Sequence, residues 1–256
     1  MNDMFSLDGK VAAVIGGGGV LAGEMARGLA RAGADVAILD FNLEAARKGA
    51  DELSALGRRS LAVQVDAADR AHLAQALDAM LAEFGRVDIL VNAAGINSAT
   101  PFFEITEEEW QRILDVDLKS VFLACQVFGK WMVESGNGGS VINISSASSG
   151  PPLSKVFTYS VAKAGVNQIT QFLAREWATR GVRVNAILPG FFPAEQNRKV
   201  LTEDRVAKIM AHTPMNRFGE ASELVGAAVF LASDKASSFV TGAILRVDGG
   251  YGAMTI

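Results

Sequence analysis

The chain is poor in the residues that build disulfide scaffolds and metal centres. It has one cysteine, Cys125, so no internal disulfide can form. Cys125 sits in an apolar run at 121–125 and reads as a buried, inert thiol. The two histidines lie in unrelated stretches, and nothing suggests a metal site. His72 falls on an amphipathic segment and is expected at the surface, while His212 is expected to be structural. Positive charge is also scarce. Lys and Arg number 24 against 28 Asp and Glu, a formal net charge of −4, which argues against a nucleic-acid surface. No run reaches the ~20 apolar residues that cross a bilayer. Residues 1–10 are polar and lack a signal-peptide core. A soluble, cytoplasmic protein is expected, with a small-molecule partner and no nucleic-acid or membrane partner. Half of the 256 residues are hydrophobic, ample for one α/β domain spanning 1–256.

What is present is a rhythm. Short, nearly uncharged runs rich in Val, Ile, Leu and Ala fall at 10–16, 34–40, 60–65, 87–91, 139–145, 182–188 and 243–247. Strands buried on both faces of a parallel sheet read this way. Amphipathic segments such as 44–56 and 73–84 lie between them. The pattern predicts an α/β fold, a doubly wound parallel sheet with helices on both faces. Thr106 with Glu109 three residues on predicts a capping box, and Glu107 and Glu108 suit that helix end better than a metal site. The rhythm breaks at 149–154 and at about 193–214, the second long enough for a small lid.

The first strand runs into Gly16-Gly17-Gly18-Gly19-Val20-Leu21, with a helix expected from about Ala22. Glycines let a backbone approach a pyrophosphate and aim N–H groups at it. A Gly-rich turn alone is a weak signal, but its place after a first strand strengthens it. Asp40 closes the second strand at the spacing of a ribose-binding acid, or else caps the next helix. Asp66, with Ala67 beside it, ends the third run in position for an adenine amino group. Asn92-Ala93-Ala94-Gly95 ends the fourth, with small residues that admit a flat ring.

Tyr159 and Lys163 are four residues apart, a spacing that shares one helix face, and Ser146 lies thirteen residues before the Tyr. A nearby ammonium favours phenolate, so a lowered Tyr159 pKa and a role in proton transfer are expected. The Ser hydroxyl can hold a substrate oxygen beside it.

Gly16–Gly19, Asp66, Asn92-Ala93-Ala94-Gly95, Ser146, Tyr159-Ser160-Val161-Ala162-Lys163, Pro189-Gly190 and Val247-Asp248-Gly249-Gly250 together resemble the short-chain dehydrogenase/reductase family over nearly the full length. That resemblance implies a Rossmann sheet, a nicotinamide cofactor and reversible carbonyl/alcohol chemistry. In it Tyr159 is the general acid/base, Lys163 lowers its pKa and holds the nicotinamide ribose, and Ser146 orients the substrate oxygen. Gly16, Gly18, Gly19, Val20, Leu21, Asp40, Asp66, Ala67, Asn92, Ala93 and Gly95 would hold the dinucleotide with Tyr159 and Lys163. Pro189, Gly190 and Phe192 would border the nicotinamide. A homotetramer built on the helices near 106–134 and 157–179 is implied too, consistent with Phe122, Val127, Phe172 and Trp177 on more than one helix face, and with a tail at 251–256 that could reach a neighbour.

Three positions depart from the family pattern: Ile15 stands where Thr is usual, Val20 and Ala22 where loop glycines are usual, and Asp117 where the catalytic Asn is usual. The main-chain carbonyl of that Asn holds a water in a relay to the Lys, a role Asp117 can keep. Pro152-Leu153-Ser154-Lys155-Val156, the stretch Phe191-Phe192-Pro193-Ala194-Glu195-Gln196-Asn197-Arg198 and Thr213-Pro214-Met215-Asn216-Arg217-Phe218-Gly219 resemble the sugar-acid branch, which includes D-mannonate oxidoreductases. NAD is the expected cofactor because Asp40 would repel a 2′-phosphate. Lys155, Gln196, Asn197 and Arg198 are the expected substrate contacts. A 3-oxoacyl carrier-protein reductase, a gluconate-type dehydrogenase and a dinucleotide-sensing scaffold remain alternatives.

Overall fold

The seven apolar runs become seven parallel strands: β1 (Val11–Ile15), β2 (Asp35–Asp40), β3 (Ser60–Gln64), β4 (Ile89–Asn92), β5 (Gly139–Ile144), β6 (Val182–Pro189) and β7 (Ile244–Val247). A computed structural model describes them within residues 3–151, 153–193 and 202–254. The strand order is β3-β2-β1-β4-β5-β6-β7, every pairing parallel. The chain winds outward from β1 to β3, then crosses back to β4. The crevice at the carboxyl ends of β1 and β4 is therefore the switch point, where such sheets bind ligands.

The central strands are buried on both faces, as their lack of alternation requires. Helices α1 (Val20–Arg31), α2 (Leu43–Ala55) and α9 (Val225–Ala232) cover one face through Met25, Leu29, Leu53 and Leu231. Helix α3 (Arg70–Phe84) and α7 (Phe157–Trp177) cover the other, together with α4 (Glu107–Leu114), α5 (Ser120–Ala124) and α6 (Lys130–Glu134). Cys125 is buried in that second layer, and burial pushes its thiol up to about 12. Polar residues inside β6 are satisfied. Arg183 donates to the Leu231 carbonyl and to Ser237 Oγ, and Asn185 exchanges hydrogen bonds with Val240 and Ala243.

Local chemistry corrects several expectations. Helix α1 begins at Val20 with Gly19 as its N-cap, ahead of Ala22. Asn42, not Asp40, caps α2, its side chain accepting from Glu44 and Ala45 N–H. Thr106 caps α4 through Glu109 N–H, but the capping box is only half made, because Glu109 instead accepts from Thr100 Oγ1. The segment from α4 to α6 is interrupted by two π-helical turns, Asp115–Lys119 and Cys125–Gly129. The first places Asp117 inward, fully buried. His72 is exposed as expected, and its Nδ1 accepts the Asp66 N–H.

Candidate active site

Gly16 has φ 76°, and a Cβ there would stand 2.8 Å from Ala94 N. A side chain on Gly18 would meet the Asp40 carboxylate at 2.9 Å and Ala45 Cβ at 2.7 Å. The loop thus lies flat against both the β2 and β4 ends, leaving a cradle with no side chains in it. No side chain caps the twelve-residue helix α1, and its first turn carries no acid. A helix terminus with free N–H groups and no competing carboxylate fits a pyrophosphate. Asp40 is held at this cradle: Oδ2 accepts the Gly18 N–H at 3.0 Å and Oδ1 the Asn42 N–H at 2.9 Å. Both oxygens of its carboxylate are thus engaged by main-chain N–H groups. Asp66 and Ala67 lie farther out, in a turn where Asp66 Oδ1 accepts the Ala68 N–H.

Asn92 is only 3 % exposed, and its side chain turns away from the crevice into a buried network. Its Nδ2 donates to Asn143 Oδ1 at 2.8 Å, and Asn143 passes a bond to Thr170 on α7. The Asn92 side chain thus braces the floor of the crevice. Ala93, Ala94 and Gly95 present the small surface above it.

Gly95 is where the catalytic end begins. A Cβ on it would lie 2.7 Å from Asp117 Oδ1 and 3.4 Å from Lys163 Nζ. Asp117 accepts the Ile96 N–H at 2.8 Å, and burial pushes its carboxyl up to about 6 against the pull of Lys163. Burial lowers the Lys163 ammonium, and the Asp117 charge opposes that. Lys163 Nζ lies 5.5 Å from the Tyr159 ring centre, so α7 does put both groups on one face. The expected lowering of Tyr159 is overturned: burial pushes its hydroxyl up to about 12, Ser146 pulling down and Asp117 pushing further up.

Ser146 follows β5 and caps a short turn. Its Oγ accepts two hydrogen bonds from one residue, Ser148 N–H at 3.2 Å and Ser148 Oγ at 3.1 Å. A hydroxyl has two acceptor lone pairs and one proton. With both lone pairs engaged, the Ser146 proton is left for the Tyr159 oxygen, and that hydrogen bond pulls the Tyr159 hydroxyl down. Ser148, itself 2 % exposed, carries no motif signal that could have singled it out. Asn167 on α7 donates to Ser149 Oγ at 2.9 Å, locking this turn to the helix that bears Tyr159 and Lys163.

Pro189 ends β6 and Gly190 packs on Asp248, where a Cβ would stand 2.7 Å from Asp248 Cα. The Phe192 ring lies on Gly219 and anchors this wall. A cavity of about 390 Å³ between Phe191, Phe192, Thr213, Met215, Arg217 and Asp248 adjoins it but includes none of Ser146, Tyr159 and Lys163. Lys155 stands exposed on the turn before α7. Gln196, Asn197 and Arg198 lie outside the described residues, as does 194–201 of the expected lid. The described remainder of that lid includes α8 (Glu203–Ala211), capped by Thr202.

A family model described as enoyl-(acyl carrier protein) reductase matches residues 19–252. The chain is 39 % identical to a 2-dehydro-3-deoxy-D-gluconate 5-dehydrogenase of Escherichia coli K12, over 96 % of this chain and 97 % of that one. It superposes on a gluconate 5-dehydrogenase of Burkholderia cenocepacia, in complex with NADP and tartrate, with TM-score 0.94 and 36 % identity over 99 % of both chains. It superposes equally widely, at TM-score 0.93 and 35 % identity, on a Haemophilus influenzae protein assigned as a D-mannonate oxidoreductase, with bound NAD.

Proposed function

The chain belongs to the short-chain dehydrogenase/reductase family, an oxidoreductase family, and on that footing we propose that it interconverts a secondary alcohol and a ketone on a sugar acid of the D-mannonate/D-fructuronate kind. The observation that carries this is the convergence of Ser146, Tyr159, Lys163 and Asp117 beside the Gly16–Gly19 cradle. A nicotinamide dinucleotide bound along Gly16–Leu21, Asp40 and Ala93–Gly95 supplies the redox chemistry. The protein supplies position and protons.

Ser146 donates its proton to the substrate oxygen and holds it beside Tyr159. Tyr159, protonated at neutral pH, gives its proton to that oxygen as the ketone is reduced, and takes one back when the alcohol is oxidised. Lys163, buried behind the ring, supports the phenolate as it forms. Asp117 balances the Lys163 charge and, through Ile96 N–H, holds the strand end that carries Gly95.

We assign NAD as the preferred nicotinamide, because Asp40 presents a fixed carboxylate where a 2′-phosphate would sit. Support for a sugar acid comes from the relatives that act on gluconate derivatives. Those relatives also support a second reading, a gluconate-type 5-dehydrogenase. Initial rates with D-fructuronate, D-mannonate, 5-keto-D-gluconate and an acetoacetyl thioester, each with both nicotinamides, test the proposal. Faster turnover of the thioester than of every sugar acid overturns it.

The oligomer we propose is a homotetramer. Phe122 and Phe172 are 46 % and 60 % exposed on α5 and α7, a second apolar face suited to a symmetric contact. Trp177 contributes within the chain instead, against Gly129. Light scattering at micromolar concentration reads the mass directly, and a monomer refutes the assembly.

A further inference from the structure

Two cations meet at the turn before α7, one predicted from sequence and one not. Lys155 has φ 65°, in the left-handed region. Among the described residues only Lys155 and Asn216 do so without being glycine. Asn tolerates that region through its short polar side chain, whereas a long Lys side chain gains nothing from it locally. Glycine would hold the turn with less strain, so the side chain is kept there against the backbone's preference. The turn itself is pinned to α7: the carbonyl of Val156 accepts both Ser160 N–H at 2.9 Å and Ser160 Oγ at 2.8 Å. Lys155 therefore stands exposed four residues before Tyr159, on a rigid base.

Arg205 comes from the opposite side. Its N–H is capped by Thr202 at the start of α8, and its guanidinium reaches across to the Ser154 carbonyl at 3.3 Å. Ser154 immediately precedes Lys155. That contact uses one of five guanidinium N–H donors. The neighbouring Asp204 is engaged with Lys208 at 2.7 Å, and among the described residues neither Lys155 nor Arg205 is in an ion pair. Arg205 also pulls down the Tyr251 hydroxyl, against the burial that raises it. Tyr251 packs on Phe191 at 5.1 Å and on His212 at 5.2 Å, and Phe191 directly follows Gly190 at the end of β6. The guanidinium thus lies between the turn that leads to Tyr159 and the wall at the β6 end.

We propose that Lys155 and Arg205 form a two-cation subsite for the substrate's carboxylate, with Arg205 as the group that separates acidic from neutral polyhydroxy substrates. This rests on the sugar-acid reading above. Two ammonium-type charges brought to adjacent positions repel, and a carboxylate between them relieves that repulsion. The planar fork of Arg205 can meet it bidentately while Lys155 adds a point charge.

The test compares kcat/KM for D-mannonate with that for the neutral polyol xylitol, in the wild type and in Arg205→Gln, Arg205→Lys and Lys155→Gln. In the wild type the acid is preferred. In Arg205→Gln the ratio of acid to polyol efficiency falls by about tenfold or more, through KM for the acid, while xylitol turnover and Tm hold. Arg205→Lys restores most of the ratio, and Lys155→Gln gives a smaller loss of the same kind. An unchanged ratio in Arg205→Gln, or equal losses on both substrates, overturns the subsite while leaving the sugar-acid reading standing. Wild-type preference for xylitol over every sugar acid overturns the sugar-acid reading itself.

Discussion

The Asp117 carboxylate lies so close to Gly95 that a Cβ on the glycine would stand 2.7 Å from Oδ1. The same Oδ1 takes the Ile96 N–H. A buried acid, a glycine without room for a methyl group and a buried lysine therefore form one packed unit below Tyr159. Each depends on the other two, which gives the first prediction.

Asp117→Asn keeps the Ile96 hydrogen bond through its amide oxygen and removes the buried charge. The folded-state pKa of Asp117 is raised to about 6, above its unfolded value. Its neutral form is favoured in the fold, so its stability contribution is present below about pH 4 and is lost as pH rises through 6. Asp117→Asn should therefore be stabilised relative to wild type at pH 8 and much less so at pH 4, by a few kcal/mol at most. Urea midpoints at the two pH values check this. A variant less stable than wild type at pH 8 would show that the pull of Lys163 outweighs burial.

Tyr159→Phe removes only the proton-carrying hydroxyl. Turnover should fall by about 10²–10⁴-fold with cofactor affinity nearly unchanged, as read by NADH fluorescence titration. With the hydroxyl pushed up to about 12, wild-type ketone reduction should be flat through neutral pH. Alcohol oxidation, which needs the deprotonated oxygen, should rise steadily on the alkaline side. Oxidation rates that peak near pH 7 would contradict the burial-dominated Tyr159.

Ser148→Ala leaves the Ser148 N–H on Ser146 but frees one lone pair of its Oγ. The Ser146 proton can then turn inward. Loss of about one neutral hydrogen bond, ~1 kcal/mol, should lower kcat roughly fivefold with little change in KM. Because Ser146 pulls Tyr159 down, the alkaline rise of oxidation should also move to higher pH. Ser148→Thr should restore both. A rate loss without any shift of the pH profile would mark Ser148 as structural only.

Asp40 should make NADH the better cofactor. Two unit charges ~4 Å apart repel by up to about 4 kcal/mol at an effective dielectric near 20, less after screening. A preference of at least about tenfold in kcat/KM is expected, and Asp40→Ser should reduce or reverse it. The variant also loses the bond to Gly18 N–H, so NADH affinity should fall as well. Equal efficiency with NADPH in the wild type would refute the assignment.

The sequence by itself determined the sheet. Seven nearly uncharged apolar runs read as parallel strands covered by helices, and each appears within a few residues of its expected bounds. Gly16–Gly19 and Asp40 were legible because a turn after a first strand restricts residue type locally. What needed the tertiary structure was every property that depends on burial or on groups distant in the chain. Whether Tyr159 is raised or lowered depends on desolvation by the packed fold, which outweighs the hydrogen bond from Ser146. The Asn92 side chain could face the crevice or the core, and only the register that sets it beside Asn143 decides. The inward turn of Asp117 follows from a π turn in which its side chain meets Ile96, twenty-one residues earlier. Ser148 and Arg205 carry no motif at all: the one matters through a hydroxyl two residues away in a tight turn, the other through a carbonyl fifty-one residues away.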